Sequence, residues 1–273
     1  MSEAKRMRRR RRGPKRDPGA FAVLLPHLLT TANLAAGFYA ILKSGQGEFD
    51  RAAIALFFAA VFDGLDGRAA RRAHSSSRFG LEYDSIADTV SFAVAPAVLA
   101  FNAGSYAELG WTGWVMGFVY VACASLRLAR FNVSPGRYEG RFEGLPSPAA
   151  AGVVLSWVLF TGWLAENGFG LGVPATLSAL GLASLGVLML SPIPYRNFKN
   201  VRLGASYGNI VWTVIGSTVI LLRPELTLLA ISMIYTFSGP FEIYWRRRTG
   251  SELQVIQASE PQAETPAPGE PHE

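Results

Sequence analysis

The sequence predicts an all-α integral membrane protein, a polytopic helical bundle of about eight transmembrane helices. Three observations predict it. The 273 residues are 50% hydrophobic and only 17% charged, where a soluble protein carries about a quarter charged residues. Mean hydropathy is positive, at +0.23. The charges sit in clusters between long apolar runs, which is the pattern of a chain that crosses a bilayer repeatedly.

Apolar segments that approach or reach the 17–25 residues needed to span fall near 21–42, 51–66, 85–104, 111–130, 148–165, 174–191, 208–223 and 225–243. Lys and Arg placement supports an even count. Nine basic residues precede the first span. Further groups follow span 2 (Arg68, Arg71, Arg72, Arg78), span 4 (Arg130, Arg137, Arg141), span 6 (Arg196, Lys199, Arg202) and span 8 (Arg246, Arg247, Arg248). The alternate loops hold Lys43 and Arg51, then none in "NAGSYAEL", none in "ENGFGLGV", and Arg223 alone. This alternation predicts both termini on the cytoplasmic side.

Three divisions follow: a basic cytoplasmic tail over 1–20, a transmembrane domain over 21–245, and an acidic, Pro-rich tail over 246–273 whose composition predicts disorder. The basic tail "KRMRRRRRGPKR" directly precedes a span, so it is read as a topology and headgroup determinant, not a nucleic-acid arm. The single Cys123 excludes an intrachain disulfide and lies in an apolar run, where it reads as packing.

The informative stretch is "FDGLDGRAARRAHSSSRFGLEYDSIADTVSF", residues 62–92. It places Asp63, Asp66, Asp84 and Asp88 at the edge of two apolar runs, where isolated charge is costly. Helical geometry puts the i,i+3 pair Asp63 and Asp66 on one face, and the i,i+4 pair Asp84 and Asp88 on one face of the next helix. A short connection holds the two helices as antiparallel neighbours, so the four carboxylates converge. Four negative charges that close require counter-charge or protonation. Hard divalent cations such as Mg²⁺ or Mn²⁺ answer this economically with oxygen ligands, and a two-metal site suits phosphoryl transfer. Arg68, Arg71, Arg72 and Arg78 offer phosphate clamps, while Gly64, Gly67 and Gly80 permit close backbone approach. Two other readings stand beside this one: an ion pathway of a cation transporter, and a structural charge network.

The spacing Asp63-x2-Asp66-Gly67-x2-Ala70-Arg71-x8-Gly80-x3-Asp84-x3-Asp88 resembles the signature of the CDP-alcohol phosphatidyltransferase family at every fixed position. The resemblance implies that family's fold and reaction, in which an alcohol displaces CMP from a CDP-linked lipid. It implies two divalent cations, Mn²⁺ or Mg²⁺, held by Asp63, Asp66 and Asp84, with Asp88 a further ligand or the general base. It also implies that Gly67, Arg71 and Ser77 hold the pyrophosphate and nucleotide. Within the family, "LLPHLLTTANLAAGFYAI", "YDSIADTVSFAVAPA", "SLRLARFN" and "FEGLPSPAAAG" are similar to multi-spanning bacterial phosphatidylserine synthases. The substrates implied are CDP-diacylglycerol and L-serine, with membrane lipids as surroundings, a homodimer, no nucleic-acid partner, and the bacterial inner membrane as location. His27 and Tyr83 depart from the Asn and Leu common in relatives, which bears on the nucleotide pocket.

An acceptor carboxylate wants an Arg with bidentate geometry. Arg127 and Arg130, i,i+3 at the end of span 4 and beside Asn132, are the candidates; their alternative role is positive-inside anchoring. A phosphorylated acceptor, glycerol 3-phosphate or an inositol phosphate, is the alternative within the same reaction. Pro146 and Pro148 are expected to start the fifth span.

Overall fold

A computed structural model describes residues 20–73, 77–133, 141–170, 172–196 and 222–249. Both tail assignments (apart from residues 20 and 246–249) and the seventh predicted span, 208–223, apart from its last two residues, lie outside the described residues. Within them the protein is mostly helical. Five helical stretches are long and apolar enough to cross a membrane: Leu24–Gly45, Arg78–Ala103, Trp111–Val133, Ser147–Glu166 and Pro224–Arg246. The second predicted span is a 25-residue helix that carries charge at both ends, and the sixth is a helix of only 16 residues. The helix that bears Asp63 and Asp66 is thus outside that set of five, although its apolar half is the predicted span 51–66.

Helix α1 (Ala20–Gly45) ends in a tight turn at Gly47, whose φ of 77° suits glycine. The chain reverses into α2 (Phe49–Ala73), and these two helices pack along their lengths. Ala40, Ala52, Ala53 and Leu56 are fully buried there. Small residues allow such close packing, since lipid offers no hydrophobic drive for helices to associate.

Helix α3 (Arg78–Asp88) begins at Ser77, whose hydroxyl accepts from the Gly80 amide at 3.0 Å. It continues through a π-helical turn, Thr89–Val94, into α4 (Ala95–Ala103). Pro96 explains part of this break. It has no N–H to give the Phe92 carbonyl, and the buried Tyr120 hydroxyl donates there instead, at 3.1 Å. A π-helical turn is a frequent companion of functional sites; this one starts at the residue after Asp88.

A 3₁₀ turn (Tyr106–Leu109) leads into α5 (Trp111–Val133). Helices α6 (Ser147–Glu166) and α7 (Ala175–Leu190) follow, then α8 (Pro224–Thr249). Pro146 caps α6 and Pro148 lies in its first turn, as the sequence predicts. Gly186 lets α7 approach α5: a Cβ there would lie 3.0 Å from Tyr120 Cα and 3.4 Å from Cys123 Cβ. Cys123 therefore sits in packing. Phe38, Ile54, Phe58, Phe118, Ile231 and Ile234 face outward, as in a bundle solvated by lipid.

The sequence does not anticipate a two-stranded antiparallel ribbon of β1 (Arg141–Glu143) and β2 (Pro194–Arg196), with Phe142 opposite Tyr195. Glu242 of α8 ties the ribbon down, meeting Arg141 at 2.8 Å, Arg196 at 3.4 Å and Arg246 at 2.9 Å. Arg141 and Arg196 thus have an ion-pairing role beyond loop charge.

Candidate active site

Asp63 and Asp66 sit on α2, and Asp84 on α3. Each offers a carboxylate oxygen, and these three atoms lie within 4.8 Å of one another. The helical spacing accounts for the first two, and the α2–α3 connection brings in the third. Asp66 is buried, whereas Asp63 and Asp84 are half-buried. The donor set is entirely hard oxygen, which fits Mg²⁺ or Mn²⁺ and not a soft metal. Asp88 lies outside this triad, one helical turn deeper, where the charges of Asp63, Asp84 and Asp66 act on it.

Helix α1 supports both acids. Thr30 and Asn33 are buried on one face, three residues apart. The Thr30 hydroxyl is 3.1 Å from Asp66 Oδ2 and 3.0 Å from the Pro26 carbonyl, and its proton is shared between them. Asn33 Nδ2 donates to Asp88 Oδ1 at 3.1 Å. The Asn33 carbonyl accepts from Ser91 Oγ at 3.0 Å. This approach of α1 to the π-helical turn requires Gly37, because any Cβ there would collide with Ser91.

The residues expected to hold the nucleotide lie around the same end of the bundle. Arg71 folds back along α2, its Nη1 3.4 Å from where a Gly67 Cβ would stand. Ser77 caps α3. His27 and Tyr83 both lie at the seam between α1 and α3, joined through Phe79. His27 packs edge-on against Phe79, which stacks on Tyr83, and the Tyr83 hydroxyl is 3.0 Å from Thr31 Oγ1. A Cβ on Gly80 would press on the His27 ring at 3.0 Å.

The three acceptor candidates on α5 are separated by their environments. Arg127 is 7% exposed and donates from Nη1 to Ser147 Oγ at 2.9 Å. Arg130 donates to the Leu190 and Glu143 carbonyls, both at 3.3 Å, and lies 3.8 Å from the Glu143 carboxylate. Asn132 is exposed and donates to Ser85 Oγ at 2.8 Å, joining α5 to α3 beside Asp84.

Sequence reasoning passed over Thr30, Asn33 and Ser147. The signal available for the first two was a pair of polar residues at i,i+3 inside the apolar run "HLLTTANLAAG". For Ser147 no signal set it apart from any other serine at a helix start.

Fold and site together define a helical membrane protein with an acidic, oxygen-donor cluster at one end of the bundle. The family model of the CDP-alcohol phosphatidyltransferases matches residues 23–188, which contain the whole cluster. The chain belongs to that family. A relative from Helicobacter pylori named CDP-diacylglycerol--serine O-phosphatidyltransferase is 33% identical over 222 residues, 81% of this chain and 89% of the relative. One of the same name from Bacillus subtilis is 33% identical over 175 residues, 64% of this chain and 91% of the relative. An archaetidylserine synthase from Methanothermobacter thermautotrophicus is 36% identical over 175 residues, 63% of this chain and 70% of the relative.

Proposed function

We propose that the protein transfers the phosphatidyl group of CDP-diacylglycerol to the hydroxyl of L-serine, giving phosphatidylserine and CMP. The observation that carries this is the juxtaposition of the Asp63, Asp66 and Asp84 triad with Asp88 one turn below it. The names of the relatives support the choice of acceptor.

Asp63, Asp66 and Asp84, with Asp88 at their edge, would hold two divalent cations, Mg²⁺ or Mn²⁺. When bound, these supply neutralisation of the pyrophosphate and stabilisation of the departing CMP. Gly67, Arg71 and Ser77 bind the pyrophosphate and nucleotide: Gly67 by admitting the ligand to the backbone, Arg71 by charge, and Ser77 by fixing the start of α3. Asp88, oriented by Asn33, takes the serine hydroxyl proton. The serine oxygen forms its bond to the lipid-linked phosphorus as the bond from that phosphorus to the CMP oxygen breaks. The serine hydroxyl is a very weak acid, so a positioned base is needed.

Arg127 is the acceptor's carboxylate partner in this reading. Arg130 braces α5 against the ribbon, and Asn132 sets the α3 register. A phosphorylated acceptor such as glycerol 3-phosphate would want a denser basic pocket, and Arg130 is already engaged with carbonyl oxygens. The alternation of basic loops supports a site and termini on the cytoplasmic side of a bacterial inner membrane. A homodimer belongs to the same proposal. The test is CMP release by purified protein with CDP-diacylglycerol and Mn²⁺ against a panel of alcohols. Serine-dependent release is the expected result. Release that ignores serine and follows another alcohol overturns the assignment, and ion flux in liposomes without CMP release points to a transporter.

A further inference from the structure

Two buried polar atoms have no hydrogen-bond partner: Oδ1 of Asn33, whose amide nitrogen bonds Asp88, and Nε of Arg127 on α5. Such orphans are rare in folded proteins and ask for an explanation. Asn33 is fully buried and Arg127 is 7% exposed, so bulk water does not serve either. Their chemistries are opposite. An amide oxygen only accepts, and a guanidinium only donates.

Each atom's role is fixed by what its side chain already does. Asn33 spends its Nδ2 on Asp88 Oδ1, which leaves its own side-chain oxygen as the free acceptor. Arg127 spends Nη1 on the buried Ser147 hydroxyl, which holds the guanidinium in place. Two cross-bonds set the level of α5 against α3 and the π-helical turn: Tyr120 Oη to the Phe92 carbonyl at 3.1 Å, and Asn132 Nδ2 to Ser85 Oγ at 2.8 Å. Arg127 lies between Tyr120 and Asn132, and Asp88 lies between Phe92 and Ser85. The two therefore share a level.

We infer that Asn33 and Arg127 form a clamp for an α-amino acid zwitterion, the Asn33 side-chain oxygen accepting from its ammonium and the Arg127 guanidinium binding its carboxylate. Asp88, held between them, faces the hydroxyl. The inference rests on the serine reading above and adds the atom that recognises each group. It requires both groups on the acceptor: an amino alcohol without a carboxylate and a hydroxy acid without an amine are each rejected. Ser147 is a positioning residue for Arg127.

The test is calorimetric titration of the full-length protein, loaded with CMP and Mn²⁺, with L-serine, 3-hydroxypropionate (no ammonium) and ethanolamine (no carboxylate). Wild type is expected to bind serine about tenfold or more tightly than either analogue, because a site built to hydrogen-bond a group rejects the ligand that lacks it. Asn33→Ala should erase the preference for serine over 3-hydroxypropionate and keep the preference over ethanolamine. Arg127→Gln should do the reverse; where it loses CMP binding, Arg127→Lys, which keeps the charge but not the bidentate geometry, should reduce the preference over ethanolamine without erasing it, and an unchanged preference overturns the inference. Equal weakening of all three ligands by Asn33→Ala means that Asn33 acts only through Asp88, and overturns the inference, as do unchanged affinities. In wild type alone, L-alanine should compete with serine far better than propionate, and equal competition overturns it too. A wild type that binds no serine and releases CMP with another alcohol instead sinks the serine reading itself.

Discussion

The two ends of the bundle are held by different means. At the acidic end, buried side chains from distant segments bond to one another: Thr30 to Asp66, Asn33 to Asp88, and Arg127 to Ser147. At the opposite end one buried residue, Ser44, makes such long-range bonds, donating to the Val98 carbonyl at 3.2 Å and accepting from Asn102 Nδ2 at 3.0 Å, and the ion pairs and turns there are local. Glu48 pairs with Lys43 at 2.8 Å and with Arg51, three residues on. Gly47, Gly110 and Gly168 turn the chain with positive φ, and Asn167 bonds back to the Trp163 carbonyl. Local contacts close loops at little conformational cost. Long-range buried polar contacts need a packed bundle to exist at all, and they fix one arrangement of the groups they join. Burying carboxylates together opposes folding, so their concentration at one end points to use rather than stability.

That contrast can be broken most forcefully at Asp88. Asp88→Asn should lower CMP release by about 10²–10⁴-fold, the range of a lost general base, while CDP-lipid binding survives; single-turnover assays with parallel binding measurements decide it, and near-normal turnover would remove Asp88 from the base role. Thr30→Val should sharpen the picture at smaller amplitude. It leaves the triad intact but removes the hydroxyl beside Asp66, so the Mn²⁺ concentration for half-maximal activity should rise about 10-fold or more, as for other lost outer-shell partners. An unchanged metal titration would mean that Thr30 serves only α1. The smallest effect is expected at the far end. The Lys43 hydrogen bond chiefly holds the Glu48 carboxyl below its ordinary value. Its contribution is therefore present above the ordinary carboxylate pKa and fades as pH falls through the lowered one. Because the group is exposed and screened, Glu48→Gln should leave turnover and thermal melting in detergent unchanged near neutral pH. A clear drop in either would show that the two ends are coupled.

Much of the architecture was legible because each helix is a long apolar run bounded by charged or turn-forming residues. Helices appear at the predicted places 21–42, 51–66, 85–104, 111–130, 148–165, 174–191 and 225–243, with ends displaced by up to several residues. The triad was legible because i,i+3 spacing puts Asp63 and Asp66 on one face and a short connection brings in Asp84, although the expectation was that Asp88 would converge with them. What run length understated was α2, expected over 51–66 and found over Phe49–Ala73, because its charged C-terminal half carries the site. The ribbon between Arg141–Glu143 and Pro194–Arg196 was not legible, because two three-residue strands leave no period to read and pair across two intervening helices.

The sequence by itself determined that this chain is a membrane-embedded helical bundle, that its acids cluster at one end, and that it resembles a family of phosphatidyl-transferring enzymes. The first two follow from composition and from geometry within one helix or one short connection, and the resemblance follows from the fixed spacing of residues 63–88 that matches the family's signature. Only the tertiary structure decided that Asp88 stands apart from the triad on Asn33, that Arg127 is buried against Ser147 while Arg130 is spent on carbonyls, and that Tyr120 completes the break at Pro96. Each of these depends on which buried polar group on one segment meets which on another. That is settled by the register and closeness of helix packing, and no local pattern encodes it.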